Sequence, residues 1–93
     1  MNTTTYTYTT IDPPGSTYTL PESINDSGQI VGLYEDSGGV NHGFLDSGGQ
    51  YTTIDPPGSI STYADGINAK GQIIGYYDDS SGIQQGFLDS GGQ

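Results

Sequence analysis

The strongest constraint on this chain is a duplication. Tyr8 to Gln50 recurs 43 residues later as Tyr51 to Gln93, and roughly 28 of the 43 aligned positions are identical. Both repeats open on Tyr-Thr-Thr-Ile-Asp-Pro-Pro-Gly-Ser and close on Gly-Phe-Leu-Asp-Ser-Gly-Gly-Gln. A repeat of this length is one supersecondary unit that cannot bury its apolar face alone. Arrays of such units need about three or more to be stable. Two repeats therefore call for neighbours from elsewhere.

Apolar residues are only 30% of the chain and the net charge is -10, a balance that borders on the disordered class. Eight Tyr and two Phe offset it by supplying large apolar areas suited to β-structure. Helix formers are scarce, and Gly or Pro interrupts every window long enough for several helical turns. Turn signals recur about every ten residues, the rhythm of an all-β protein. In the first repeat they are Asp12-Pro13-Pro14-Gly15, Asn25-Asp26-Ser27-Gly28, Glu35-Asp36-Ser37-Gly38-Gly39 and Asp46-Ser47-Gly48-Gly49. Each recurs in the second repeat.

Between the turns the sequence predicts four strands per repeat. A short strand leads into Ile24-Asn25 (Ile67-Asn68). The second and most apolar is Gln29 to Tyr34 (Gln72 to Tyr77). The third is His42 to Leu45 (Gln85 to Leu88), and the fourth is Tyr51 to Asp55, matched at the front of the chain by Tyr8 to Asp12. The second strand does not alternate: Ile30 and Tyr34 face one side, Val31 and Leu33 the other, so both faces want cover. Four short antiparallel strands covered on both faces describe a propeller blade between two others. Gly32 and Gly75 fall mid-strand, which suggests close approach of a large side chain, an aromatic of the adjacent blade.

The repeat frame divides the chain into residues 1–12, an outer strand completing a blade of a neighbouring chain, residues 13–55, the first blade, and residues 56–93, a second blade without its own outer strand. An open strand edge is an aggregation hazard unless paired. Two blades cannot curve round to meet, so closure is expected between identical chains, head to tail, into a ring. Propellers have about 4 to 8 blades. A homotetramer of eight blades is the preferred expectation and a homotrimer of six the second.

The blocks Gly66-Ile67-Asn68 through Gly71-Gln72-Ile73-Ile74-Gly75-Tyr76-Tyr77, then Gly86-Phe87-Leu88, and Gly48-Gly49-Gln50-Tyr51-Thr52-Thr53-Ile54-Asp55-Pro56-Pro57-Gly58, resemble the HAF family of bacterial extracellular repeats. The resemblance covers nearly everything after residue 5. It departs at Gln85, where the first repeat keeps His42, and at Ser23, where the second has Gly66. It implies a β-propeller of such repeats, outside the cell in natural members, and carries over no catalytic residues. The chain also resembles engineered, fragment-based propellers in which a few blades per chain assemble into a ring, so a designed or reconstructed scaffold is expected. Met1-Asn2-Thr3-Thr4 lacks the basic start and apolar core of a signal peptide.

Eleven acidic residues against the lone Lys70 exclude nucleic-acid binding and attraction to anionic membranes. No apolar run nears the ~20 residues of a spanning helix. There is no Cys for disulfide or thiol chemistry. His42 is the only His and has no matched nucleophile in sequence, so it reads as a polar residue at a blade edge. The acid pairs Glu35-Asp36 and Asp78-Asp79 read as solvated turn acids rather than an acid/base pair. Asp78-Asp79-Ser80-Ser81 and Asp46-Ser47 have calcium-ligand chemistry without a calcium-binding motif. No catalytic, cofactor or metal residues are therefore expected. Asn2-Thr3-Thr4 and Asn25-Asp26-Ser27 match the glycosylation pattern. Tyr6, Tyr18, Tyr51 and Tyr63 suit sugar stacking but also packing between blades. The expected function is a non-enzymatic, self-assembling propeller scaffold. The alternative is an extracellular, glycan-binding propeller module.

Overall fold

Turn chemistry cuts the chain into strands too short to fold alone. The structure, a computed structural model, describes residues 8–90. Its strands are β1 (Ser16–Ile24), β2 (Ile30–Asp36), β3 (Asn41–Ser47), β4 (Gln50–Ile54), β5 (Ser59–Ile67), β6 (Ile73–Asp79) and β7 (Gln84–Asp89), with no helix among the described residues. They form two antiparallel sheets, one of four strands in the order β1-β2-β3-β4 and one of three in the order β5-β6-β7. The registers of β1–β2–β3 and β5–β6–β7 superpose under the 43-residue offset, so sequence repetition is repetition of pairing. Tyr8 to Asp12, the sequence counterpart of Tyr51 to Asp55, lies outside any strand in the single chain. Of residues 1–12, expected to supply an outer strand, the first seven lie outside the described residues.

The hairpin from β1 to β2 shows how local chemistry sets the pairing. Asn25 Oδ1 accepts the amides of Ser27 and Gln29, at 3.1 and 3.0 Å, and the amide of Gly28 donates to the Asn25 carbonyl at 3.0 Å. Gly28 closes this turn at φ 79°, where a side chain would strain. The turn after β5 repeats these bonds at Asn68, Lys70, Gln72 and Gly71.

Two expectations need correction. The first strand is not short: β1 and β5 each run nine residues, with register shifts between Ser16 and Tyr18 and between Pro21 and Ser23, and the same shifts in β5. These bulges break the period-2 pattern by which a strand is recognised, and Pro21 is tolerated because β1 is an edge strand. Nor do the mid-strand glycines make room for an aromatic of the adjacent sheet. A Cβ at Gly32 would strike the backbone of Leu20 and Pro21, and one at Gly75 the backbone of Tyr63 and Ala64. The bulge draws the paired edge strand over these positions. Only Phe87 Cε2, at 3.0 Å from a Cβ on Gly75, is aromatic, and it belongs to the same sheet.

The sheets pack face to face. Val31 and Ile54 of the first meet Ala64 and Ile73 of the second, with Leu45, Ile67 and Phe87 around them. On the opposite face of the first sheet, Phe44 is fully buried, with Tyr34 and Tyr51 at centroid distances of 6.4 and 6.2 Å. The non-alternating β2 thus has the second sheet over Val31, while on its other face Tyr34 is shielded by rings of its own sheet and Ile30 is only partly buried. Thr62 is fully buried between the sheets, and its hydroxyl finds no hydrogen-bond partner among the described residues. Leaving a buried hydroxyl unpaired costs about 1–3 kcal/mol. Thr62→Val, nearly the same shape, is expected to stabilise the fold by about 1 kcal/mol, raising Tm by roughly 4–8 °C in thermal unfolding. Gly75→Ala, which drives a methyl into backbone, is expected to destabilise it by about 2 kcal/mol or more in denaturant titration.

Candidate functional site

The inter-sheet contact is the most developed surface of the molecule, and it is built from positions that occur twice. The first sheet contributes Val31 and Leu45, and the second contributes Ala64, Ile67 and Ile73. Under the offset, Val31 and Leu45 correspond to Ile74 and Leu88, while Ala64, Ile67 and Ile73 correspond to Pro21, Ile24 and Ile30. Both counterpart sets are uncovered. Val31 is 0% exposed and Ile74 is 57%; Leu88 is 60% exposed and Ile24 is 65%. A groove of about 320 Å³ lies over Ile67, Ile74 and Leu88, and another of about 310 Å³ over Ile11, Pro21, Ile24 and Ile30. The chain therefore carries both halves of its own internal interface, one on each outer face.

Gly43 and Gly86 show the same relation in finer detail. Gly43 is buried: a Cβ there would meet the Ile54 carbonyl oxygen at 2.9 Å and Thr62 Cγ2 at 3.2 Å. The missing side chain is what allows β4 and the second sheet to approach. Gly86 occupies the same register on β7, opposite Tyr76, yet a Cβ there would meet nothing nearer than the Gly75 carbonyl oxygen at 3.9 Å. Among the described residues, the outer edge of β7 has no strand beside it. A groove of about 400 Å³ runs there, between Thr53 to Pro57 on one side and Phe87 to Asp89 on the other.

His42 is not a loose edge residue. Its Nε2 lies 2.8 Å from Asp36 Oδ2 and its Nδ1 2.7 Å from Asp55 Oδ2, so the imidazole bridges the end of β2 to the residue following β4. Asp36 Oδ1 meanwhile accepts the amides of Gly38 and Val40, at 2.8 and 3.0 Å. In the second sheet Gln85 replaces His42 and still donates, through Nε2, to Asp79 Oδ2 at 3.2 Å. Burial alone would push the His42 pKa down; the hydrogen bonds to Asp36 and Asp55, with their charges, outweigh it and raise the pKa above its ordinary 6.5. The hydrogen bond from His42, aided by the Val40 and Gly38 amides, holds the Asp36 carboxyl below its ordinary 3.8. The Asp79 carboxyl is likewise lowered, by the Ile83 amide first and then by Gln85.

The other candidates are spread out. In the oxygen-rich loops weighed for calcium, Asp79 Oδ1 is engaged by the Ser81 and Ile83 amides and Asp46 Oδ1 by the Gly49 amide. No group of three or more His, Asp or Glu is placed to hold a metal among the described residues. Asn25 of the second sequon donates its amide nitrogen to Gln29 Oε1 and to the Asn68 carbonyl, each at 2.9 Å, bonds that an attached sugar would disturb. Asn2 and Tyr6 lie outside the described residues. Tyr18 is exposed, Tyr51 packs edge-on against Phe44, and Tyr63 stacks on Tyr76 at 4.7 Å, so no ring contact joins these tyrosines into one platform. No helix among the described residues is long and apolar enough to cross a membrane. Comparison with protein-family models, with curated proteins and with solved structures gives no match.

The His42 bridge makes stability depend on pH in a definite direction. His42 has a raised folded pKa, so its contribution is fully present below about 6.5 and is lost as pH rises through the folded value. Asp36 has a lowered one, so its contribution is present above about 3.8 and is lost as pH falls through the folded value. His42 is the only His and there is no Cys, leaving no other side chain with an ordinary pKa near neutrality. Thermal melts between pH 5 and 9 are expected to show Tm falling as pH rises, and His42→Gln is expected to flatten that slope while keeping the fold.

Proposed function

We propose that this chain is a non-enzymatic structural protein that closes with identical copies into a β-propeller ring, four copies giving eight blades, with three copies and six blades the second arrangement. The observation that carries this reading is the Gly43–Gly86 pair. The same Gly-Phe-Leu block is filled by a neighbouring sheet in the first repeat and faces an unfilled groove in the second. A heterologous contact between opposite faces of one chain propagates, and a rotation that closes yields a ring. The resemblance of the repeat blocks to HAF-type blades supports the same architecture.

The registers inside the chain specify what the open edge should hold. Gly43, Phe44, Leu45 and Asp46 pair with Ile54, Thr53, Thr52 and Tyr51. The identical segment Tyr8 to Asp12 of a second copy would then set Ile11 opposite Gly86, Thr10 opposite Phe87, Thr9 opposite Leu88 and Tyr8 opposite Asp89. The 2.9 Å bond between Tyr34 Oη and Thr53 Oγ1 would recur between Tyr77 and Thr10 of that copy. Tyr8, 89% exposed in the single chain, would take the place that Tyr51 has against Phe44.

Native mass read against concentration tests the proposal. The expected result is a discrete species at four times, or three times, the 9.7 kDa chain mass. Gly86→Val is expected to leave the chain folded, since a Cβ meets open space there, but to abolish the ring, since the methyls would strike the incoming Ile11 carbonyl and Thr19. A folded wild-type chain that stays monomeric at every concentration would sink the proposal, as would a Gly86→Val chain that assembles normally.

A further inference from the structure

Asn25 and Asn68 occupy equivalent turns, and the first reaches the second. Besides holding Gln29 Oε1, Asn25 Nδ2 donates at 2.9 Å to the backbone carbonyl of Asn68, linking the β1–β2 hairpin to the β5–β6 hairpin across the two sheets. A Cβ on Gly71 would lie 3.7 Å from Gln29 Oε1, so the two turns are in van der Waals reach as well. Asn68 is held identically within its own turn: Oδ1 accepts the amides of Lys70 and Gln72, and Nδ2 donates to Gln72 Oε1 at 2.8 Å. An amide NH₂ has two protons to donate. Asn25 uses both, whereas among the described residues Asn68 uses one. Asn68 and Gln72 line the groove over Ile67, Ile74 and Leu88, the face left uncovered in the second repeat.

We infer that the second Nδ2 proton of Asn68 donates to the Asn25 carbonyl of the next copy of the chain, so that asparagines form a continuous hydrogen-bonded ladder from hairpin to hairpin around one rim of the assembly. This rests on the ring proposed above. It adds a polar lock that fixes the phase of one copy on the next, because the bond forms only when equivalent hairpins lie side by side. Apolar faces alone tolerate sliding; a donor and carbonyl that must meet do not. The rungs alternate between those within a chain, from Asn25 to Asn68, and those between chains, from Asn68 to Asn25.

Two variants separate the ladder from the turn it grows out of. Asn68→Asp keeps the oxygen that accepts the Lys70 and Gln72 amides and removes the donor, and Asn68→Ser keeps a turn-forming hydroxyl without added charge but holds its proton one bond short of the neighbouring carbonyl. Both are expected to keep the β-rich fold by circular dichroism and to raise the concentration at which rings dissociate, by about tenfold for one interfacial hydrogen bond lost per copy. Asn25→Asp removes the rung inside the chain, and is expected to lower Tm while changing the dissociation concentration less than Asn68→Asp does. Side-chain amide exchange gives a readout without mutation: in the ring, the Asn68 NH₂ is expected to exchange as slowly as that of Asn25. Rings that form normally with a rapidly exchanging Asn68 amide, or whose dissociation is unmoved by Asn68→Ser, would overturn the ladder and leave the ring standing. A wild-type chain that never assembles overturns both.

Discussion

Everything in this fold depends on two sheets coming within side-chain contact at a place where one of them has no side chain. Gly43 lets Thr62 approach to van der Waals distance. Around that point Val31, Ile54, Ala64 and Ile73 leave water. Full burial of a residue such as Val or Ile is worth about 1.5–3 kcal/mol. The buried apolar residues beyond this cluster are only Leu33, Tyr34 and Phe44 among the described residues. So small a core must be weighed against the ordering of a Gly-, Ser- and Thr-rich chain. The apolar area still exposed at Ile24, Ile74 and Leu88 is large by comparison, and covering it would deepen a core that two repeats leave shallow.

The sheet pattern was legible in the sequence because turns and repeats are local. The Asn-x-x-Gly and Asp-x-x-Gly blocks mark hairpins through bonds made within four residues, as at Asn25 and Asp36. The apolar run of β2 announced cover on two faces; the second sheet covers Val31, while Tyr34 is shielded by rings of its own sheet. What escaped notice was set by register. The bulges at Thr17 and Glu22 lengthen β1 while erasing its alternation, and they account for Gly32 through backbone rather than through a neighbouring ring. The His42 bridge spans six residues to Asp36 and thirteen to Asp55, and it takes both the β2–β3 and the β3–β4 pairing to bring these together. One signal was available: each of the three positions is held in both repeats by a group able to keep the bond, with Gln standing for His.

That exchange of Gln85 for His42 also separates the blades chemically. The first sheet is tied by an imidazole between two carboxylates, and the second by a neutral amide on one. The inner faces differ too: Tyr63 accepts from Asn41 at 3.4 Å and stacks on Tyr76, whereas its counterpart Leu20 has neither hydroxyl nor ring. In the proposed ring, contacts within chains and between chains would alternate in strength, and the rotational symmetry would be that of the chains rather than of the blades.

The identity of Tyr8–Ser16 and Tyr51–Ser59 has a consequence for how such a protein can lengthen. When the joint between molecules uses the same residues as the joint within one, tandem fusion of a further 43-residue unit requires no new surface. It converts an encounter governed by mass action into a tethered one, raising the effective concentration of the joint while leaving its chemistry untouched. In the proposed eight-blade ring, growth by duplication would trade subunits for length wherever the blade count per chain divides eight, so that two four-blade chains would keep the same contacts as four two-blade chains.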